Sequence, residues 1–228
     1  MLKLNASLMI SVALSLVNAG AATILNGSFE TTVPAVGNAA CGIFASGSTS
    51  ITGWTVVGPA GTDVGVCNTN FAQSGISFLA EDGSNWLDLT GLNSNSTEGV
   101  QQIVATTIGD SYTLSFWVGN VDSPSTGFGV TSTVNVLANG TSLGKFTNNC
   151  TVCTTTQQWM QFSDTFTATS ASTTLAFLNA DPGTDNTNGL DNLVLTDNGP
   201  AGVPEPSSIV LVGSGLLGLA AWLRQRMS

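Results

Sequence analysis

The chemistry open to this chain excludes imidazole groups, because its 228 residues include no histidine. Without histidine there is no Ser-His or Cys-His pair to activate a nucleophile, and no imidazole to bind a metal ion. A carboxylate pair could still hydrolyse a glycoside, with Glu81, Asp82 or Glu98 as candidates. Adjacent acids in a turn rich in Gly, Ser and Asn are more typical of a solvated loop. The sequence therefore predicts that the protein is not an enzyme.

Two tryptophans, Trp86 and Trp117, are out of phase with the apolar alternation of their own segments, and Asp88 lies two residues after Trp86. A sugar-binding site needs a flat aromatic face for the apolar side of the ring and polar groups for its hydroxyls. We therefore expect carbohydrate binding at Trp86, Asp88 and Trp117. The alternative is that both indoles pack under loops or against a second sheet.

The four cysteines predict two disulfides in an oxidising compartment, with three possible connectivities. We favour Cys41 with Cys67 and Cys150 with Cys153, because the second pair lies in one short turn. The C-x-x-C spacing also occurs in redox motifs, but no basic residue lies close in sequence to lower a thiol pKa. A structural role is the better interpretation, and zinc binding is disfavoured by the lack of histidine.

The charge balance excludes one class of partner. All 14 acidic residues lie between Glu30 and Glu205, and Lys145 is the only basic residue in that interval, which leaves a net of thirteen negative charges there. An acidic surface repels the phosphates of nucleic acids, so no nucleic-acid partner is expected.

Short alternating segments separated by polar turns predict an all-β fold, an antiparallel two-sheet sandwich. In the clearest segment, Tyr112, Leu114, Phe116 and Val118 form the expected core face. The predicted strands are Thr23–Phe29, Trp54–Val57, Trp86–Leu89, Val100–Ala105, Tyr112–Val118, Thr131–Ala138, Met160–Ala168, Thr173–Leu178 and Leu190–Leu195.

Both ends of the chain have features of targeting segments. Residues 1–22 combine Lys3, an apolar centre and small residues, which predicts a secretory signal peptide. Residues 23–199 form the predicted β domain. Residues 200–228 contain Pro204, Glu205 and Pro206, then an apolar run that predicts a membrane helix at 208–223. The basic residues follow this run, which predicts that the domain lies outside the membrane and the C-terminus in the cytoplasm.

The three-part tail resembles the PEP-CTERM sorting signal of Gram-negative bacteria. The resemblance implies recognition by exosortase, a membrane protease that cuts near the Pro204–Pro206 box. It also implies a transient anchor in the inner membrane, followed by location at the cell surface or in the extracellular matrix, either released or retained.

A second resemblance covers nearly the whole predicted domain. The order of seven short motifs resembles the galactose-binding-like jelly rolls, and more closely an uncharacterised family of that fold in plant cell-wall proteins and bacterial proteins with variable C-terminal anchors. The motifs are N-G-S-F-E at 26–30, I-T-G-W at 51–54, W-L-D-L-T-G at 86–91, G-V-Q-Q-I-V-A-T at 99–106, Y-T-L-S-F at 112–116, F-T-A-T at 166–169 and L-D-N-L-V-L at 190–195. The aromatic-rich segment that this family has after Trp54 is absent at 61–68.

The galactose-binding-like resemblance also implies one structural calcium ion, held where the first and last strands meet. Calcium takes oxygen ligands, and Glu30, Asp191 and the backbone near Asn26 could supply them. Together, the resemblances imply an exported, surface-sorted, non-catalytic protein associated with extracellular polysaccharide. The alternatives are a structural matrix or adhesion protein without a defined ligand and, least favoured, a glycoside hydrolase.

Overall fold

The computed structural model describes residues 22–92, 97–183, 185 and 187–201. The described residues form an all-β domain with one turn of 3₁₀ helix at Pro124–Thr126. The strands are β1 (Cys41–Ala45), β2 (Thr55–Val57), β3 (Asp63–Asn68), β4 (Ala72–Gln73), β5 (Ile76–Ser77), β6 (Asn85–Asp88), β7 (Gly99–Ala105), β8 (Asp110–Asn120), β9 (Ser132–Ala138), β10 (Thr141–Asn148), β11 (Gln158–Thr167), β12 (Ser172–Asn179) and β13 (Gly189–Pro200).

Two antiparallel sheets face each other, which confirms the predicted jelly-roll sandwich. The six-stranded sheet has the order β1-β3-β6-β13-β8-β11, and the five-stranded sheet has the order β10-β9-β12-β7-β2. Strands β4 and β5 form a small separate hairpin. Eight of the nine predicted segments overlap strands.

The core lies between the two sheets, and β8 shows how the sequence builds it. Tyr112, Leu114, Phe116 and Val118 are fully buried, as the alternation along this strand predicts. The Phe116 ring meets the ring of Phe177 from β12 edge-on, with centroids 5.7 Å apart. Aromatic contacts of this kind join the two sheets across the core.

The predicted first strand, Thr23–Phe29, is wrong. Asn26 and Phe29 have positive φ angles of 55°, so the chain turns here instead of extending. Gly27 packs against the last strand, where its carbonyl accepts a 3.0 Å hydrogen bond from the Leu193 N–H. A Cβ at Gly27 would overlap the Leu193 carbonyl oxygen, so this close approach requires glycine.

The cysteine prediction is half right. Cys41 and Cys67 lie opposite each other on β1 and β3 and form a disulfide. The predicted pair Cys150–Cys153 is wrong, because both are free thiols in the structure. The Cys153 sulfur instead donates a 3.0 Å hydrogen bond to the Cys150 carbonyl. Burial and the neighbouring Cys150 side chain raise the pKa of the Cys153 thiol to about 12, which disfavours the reactive thiolate.

Several predictions concern residues outside the described part. Residues 1–21 of the predicted signal peptide (1–22) lie outside the described residues, as do the sorting box and the predicted membrane helix (208–223), which fall within 202–228. Within the described residues, no helix has the length and apolar character needed to cross a bilayer.

Candidate active site

The outer face of the six-stranded sheet, which points away from the second sheet, has an opening beside Asp88 of β6. Asp88 lies opposite Gly65 of β3 and opposite Gly189 of β13. Opposed residues on neighbouring strands point to the same face, so neither neighbour has a side chain to cover the Asp88 carboxyl. The Trp159 indole fills the space over Gly189, at 3.0 Å from where a Cβ would be. A Cβ at Gly65 would be in van der Waals contact with the Asp88 side chain and the Cys67 sulfur, at 3.6 Å, so glycine leaves this space to the cavity.

Aromatic side chains enclose this opening. Trp86, two residues before Asp88 on the same face, stacks on Phe78 with ring centroids 5.9 Å apart and meets the Trp159 ring edge-on at 6.2 Å. Phe128, from the segment after β8, packs edge-on against Phe78 at 5.2 Å. These residues belong to a second apolar cluster, separate from the core between the sheets. The loops thus build apolar walls on a face that a sandwich normally exposes to solvent.

The walls enclose a cavity of about 690 Å³. This volume lies within the range of small-molecule sites. Its lining combines the Cys41–Cys67 disulfide, the aromatic cluster, the β4–β5 hairpin and two loops, and Asp88 is the ionisable group among the described residues that line it. The lining residues are Cys41, Ile43, Gly65, Cys67, Phe71, Gln73, Phe78, Trp86, Asp88, Gly91, Leu92, Thr126, Gly127, Phe128 and Thr187.

Asp88 has an unusually basic carboxyl group. Desolvation by burial raises its pKa from 3.8 to about 6, opposed by hydrogen bonds and reinforced by the nearby charge of Glu98. The Thr90 hydroxyl and N–H both donate to Asp88 Oδ1, at 2.7 and 2.9 Å. A carboxyl group that titrates near neutral pH can both donate and accept a proton at the working pH of a cell.

Asp191 lies on the same outer face, opposite Trp117, but it has a different environment. Its Oδ2 accepts hydrogen bonds from the backbone N–H groups of Glu81 (2.8 Å) and Asp82 (3.1 Å). Its Oδ1 accepts a third, from the Asn192 N–H, at 2.7 Å. Burial raises the pKa of Asp191 to about 8, against these three hydrogen bonds. Asp191 therefore holds the loop around Glu81, and it does not line the cavity.

The other two predicted calcium ligands also make backbone contacts. Glu30 Oε1 accepts hydrogen bonds from the Ser84 and Asn85 N–H groups, at 2.7 and 2.8 Å. The Asn26 side chain bridges Thr31 and Thr52. Glu30 and Asp191 thus bind one loop, residues 81–85, from two sides. Among the described residues, no group of three or more His, Cys, Asp or Glu side chains is arranged to hold a metal ion. The calcium site stays a prediction.

The structure brings the predicted carbohydrate-binding residues to one face, but with unequal exposure. Trp86 is only 1 % exposed and Phe78 covers its ring, so it forms part of the cavity wall rather than an open platform. Trp117 is half-buried. Sequence analysis missed Phe71, Phe78, Phe128 and Thr187. One available signal was the Ser74-Gly75 pair, which has positive φ angles of 54° and 80° and forms the hairpin turn between Phe71 and Phe78.

Residues 20–178 match the family model HpiC1-like, described as HpiC1 cyclase. The chain belongs to the HpiC1-like family. Residues 202–225 match the PEP-CTERM protein-sorting motif, which confirms the resemblance of the tail. Such motifs mark proteins exported to the surface of Gram-negative bacteria and imply processing by exosortase. No curated protein matches the chain.

Solved structures show the same fold. The Stig cyclase Fisc from Fischerella sp. TAU, in complex with (3Z)-3-(1-methyl-2-pyrrolidinylidene)-3H-indole, is 20% identical with a TM-score of 0.57, covering 79% of this chain and 100% of that one. A cyclase from Fischerella sp. TAU, in complex with 4-(1H-Indol-3-yl)butan-2-one, is 21% identical with a TM-score of 0.54, covering 81% and 100%. An apo form cyclase from Fischerella sp. is 18% identical with a TM-score of 0.55, covering 80% and 98%.

These findings correct the prediction that the protein is not an enzyme. That prediction is wrong because the matched family is a family of cyclases and its model covers most of the domain. The absence of histidine excluded nucleophilic and imidazole chemistry, but it did not exclude acid catalysis by a carboxyl group in an apolar cavity.

Proposed function

We propose that this protein is an exported cyclase in which Asp88 acts as the general acid. One observation carries the proposal: the Asp88 carboxyl group, with a pKa of about 6, lies in a cavity whose walls are aromatic and apolar. Membership of the HpiC1-like family supports ring formation as the reaction class.

The chemistry follows from the acid and its walls. The protonated Asp88 carboxyl transfers its proton to a carbon–carbon double bond or to a basic atom of the substrate, which leaves a cation on the substrate and a carboxylate on Asp88. A second double bond of the substrate attacks the cation, and a new carbon–carbon bond closes the ring. The resulting cation loses a proton to the carboxylate. The product is an isomer of the substrate, and Asp88 regains its starting state.

The aromatic walls assist this reaction in two ways. The π faces of Trp86, Phe78 and Phe128 attract a cation, an interaction that strengthens when water is excluded. Apolar walls also keep water from capturing the cation before the ring closes. The disulfide between Cys41 and Cys67 holds β1 against β3 at one side of the cavity.

The test uses the full-length protein and a panel of prenylated indoles and prenylated phenols. Each probe has an aromatic body and a double bond that can accept a proton, and indole compounds are the ligands named for the Fischerella structures. We expect at least one product of unchanged mass and altered chromatographic retention. Asp88→Asn should abolish that product, because an amide cannot donate the proton.

Asp191→Asn tests whether Asp191, the other buried acid of this face, takes part in the reaction. Because Asp191 holds the loop at Glu81 and does not line the cavity, its variant should keep turnover in the fraction that folds. Loss of product in folded Asp191→Asn together with normal turnover in Asp88→Asn would contradict the assignment.

A second proposal is a polysaccharide ligand on the same outer face. It is favoured by the position of half-buried Trp117 on the face that also carries Asp88, and by the sorting motif. A glycan array with the full-length protein tests it, with Trp117→Ala as the variant. Binding that survives Trp117→Ala, or no binding to any glycan, would contradict this second proposal.

A further inference from the structure

One oxygen of the Asp88 carboxyl group has no side-chain hydrogen-bond donor. The Thr90 hydroxyl and N–H both donate to Oδ1. Among the described residues, no side chain donates to Oδ2, and the backbone of Asn188 is the other hydrogen-bonding group near the carboxyl. Asp88 is half-buried rather than fully enclosed, and it lines the cavity. A molecule in the cavity can therefore reach this carboxyl group.

Other acidic side chains around this sheet are paired by the backbone. Asp191 is fully buried, and its two oxygens accept hydrogen bonds from three backbone N–H groups. Glu30 accepts two, from the N–H groups of Ser84 and Asn85. These donors compensate the carboxylates for the water that they lose on folding. Asp88 differs because its second oxygen is left to the cavity.

The described part of the domain places no basic side chain at this carboxylate. None of the described residues that line the cavity is basic. Lys145 is the only basic residue between Glu30 and Glu205, and it lies on β10, an edge strand of the five-stranded sheet, where it lines a different cavity. An anion in the cavity would meet no counter-charge and would be repelled by ionised Asp88, whereas a cation would be attracted.

The rest of the lining suits a cation that is covered by carbon. Phe71 and Phe128 both line the cavity and pack against Phe78, with ring centroids 5.6 and 5.2 Å apart. Aromatic rings attract cations at their faces. Ile43 and Leu92 add aliphatic surface. A hydrated metal ion fits these walls poorly, because they hold a single carboxylate and no cluster of metal ligands among the described residues.

We propose that the cavity binds an alkylated organic ammonium ion, with the charged nitrogen against the Asp88 carboxylate and the alkyl groups against the aromatic and aliphatic lining. The volume of about 690 Å³ accommodates such an ion with a ring attached. The inference rests on the proposed function in one respect only: a bound ammonium ion resembles the cation formed during ring closure and should inhibit that reaction. Binding itself needs no catalysis.

The experiment compares two probes of nearly equal shape, phenyltrimethylammonium and tert-butylbenzene, with the full-length protein at pH 8. Only the first probe is charged, and at this pH the Asp88 carboxyl, whose pKa is about 6, is ionised. We expect calorimetric titration to show that the cation binds roughly fivefold to thirtyfold more tightly, which corresponds to about 1 to 2 kcal/mol.

Two variants identify the group that attracts the cation. Asp88→Asn should remove the preference while tert-butylbenzene still binds, because the amide keeps the shape of the side chain and loses its charge. Asp164→Asn is the matched control. It removes one negative charge from β11, outside the cavity lining, where the carboxyl accepts a hydrogen bond from the adjacent Thr165 N–H. This variant should keep the preference, which excludes a general attraction of cations to an acidic protein.

A second measurement does not depend on a variant that folds. In carbon-13 spectra, the carboxyl signal of Asp88 should shift with phenyltrimethylammonium and not with tert-butylbenzene. Equal or weaker binding of the cation, a preference that survives Asp88→Asn, a preference lost in Asp164→Asn, an unshifted Asp88 signal or no binding of either probe would each overturn the inference.

Failure of this inference is distinguishable from failure of the proposed function, since these experiments measure binding and not product formation. If the cation binds at Asp88 but no prenylated probe is cyclised, the ammonium site stands and the proposed reaction fails. If Asp88 is required for product but the two binding probes have equal affinities, the reaction stands and the ammonium site fails.

Discussion

Trp86 and Asp88 point to the outer face of β6, whereas Leu87 between them is fully buried between the sheets. A strand of four residues thus contributes one face to the core and the other to the cavity. The two faces of β6 have different roles: Leu87 packs in the core and contributes to stability, while Asp88 lines the cavity. A desolvated carboxyl group costs free energy, and Asp88 lines a cavity, whereas Asp191 uses its carboxyl oxygens to hold a loop.

The free energy of unfolding should fall as the pH rises from about 4 to about 6. Folding raises the pKa of Asp88 from 3.8 to about 6 by desolvation, so in this interval the folded state holds a proton that the unfolded state has lost. Proton binding favours the folded state at the lower pH, and this contribution is lost as the pH passes the folded pKa. Asp181 and Asp191, whose pKa values burial raises to about 8, extend the decline toward that pH.

Asp88→Asn isolates the contribution of Asp88. The variant should be more stable than the wild type at neutral pH, by up to about 3 kcal/mol at roughly 1.4 kcal/mol per pKa unit. Its decline between about pH 4 and about pH 6 should be shallower but not abolished, because Asp181 and Asp191 keep their contributions over the same interval. Urea denaturation at several pH values measures both effects, and an unchanged slope in the variant would show that Asp88 is not desolvated.

Thr90→Val should raise the pKa of Asp88 further. The Thr90 hydroxyl donates a 2.7 Å hydrogen bond to Asp88 Oδ1, which favours the ionised form, and valine cannot make this bond. Thr90→Ser keeps the hydroxyl and serves as the matched control. Carbon-13 NMR titration of the Asp88 carboxyl measures the pKa directly. A pKa that is equal in the valine and serine variants would contradict the role of this hydroxyl.

The sequence predicted the sandwich well because its core strands alternate strictly. The alternation is clearest from Tyr112 to Val118, and the apolar face of this segment is fully buried. Strands β1, β3 and β10 were not predicted; each carries a glycine (Gly42, Gly65 and Gly144), which weakens the strand signal. Gly65 has a reason of its own, since a side chain there would occupy the space beside Asp88.

The candidate site could be predicted only in part. The position of Trp86 and Asp88 on one outward face followed from their spacing, and this was correct. That the face is covered, however, depends on Phe78 and Phe128, which reach it from segments distant in sequence. The raised pKa of Asp88 is a consequence of that covering, so no local pattern contains it. Without the cavity, the outward tryptophans were interpreted as an open sugar platform.

The Cys41–Cys67 disulfide should stabilise the domain by about 3 to 4 kcal/mol, because it closes a loop across a sequence separation of 26 residues. Replacing both cysteines by serine removes this constraint on the unfolded chain. Cys150→Ser, which alters a free thiol, is the control and should change stability much less. Thermal unfolding compares them. A thiol assay on denatured, unreduced protein should find Cys150 and Cys153 reactive; blocked thiols there would contradict the structure.

Exosortase processing near Pro204–Pro206 should remove the segment that contains the predicted membrane helix. The PEP-CTERM motif at residues 202–225 motivates this expectation, although these residues lie outside the described part of the chain. Mass spectrometry of the protein recovered from the cell surface should contain peptides of the β domain and none from 209–223. Substituting Pro204 and Pro206 by alanine should retain the full-length form in the membrane. Recovery of an intact tail from surface protein would contradict the prediction.

Calcium should raise the thermal stability of the full-length protein if the predicted ion binds where the first and last strands meet. An ion that binds only the folded state stabilises it by mass action. Glu30 and Asp191 both contact the loop at residues 81–85, so an ion shared between them would tie the chain ends to that loop. Asp191→Ala also removes backbone hydrogen bonds and lowers the melting point by itself, so the decisive quantity is the difference between calcium and chelator. We expect that difference in the wild type and its loss in Asp191→Ala. Equal melting points of the wild type in calcium and in chelator would contradict the prediction of a calcium site.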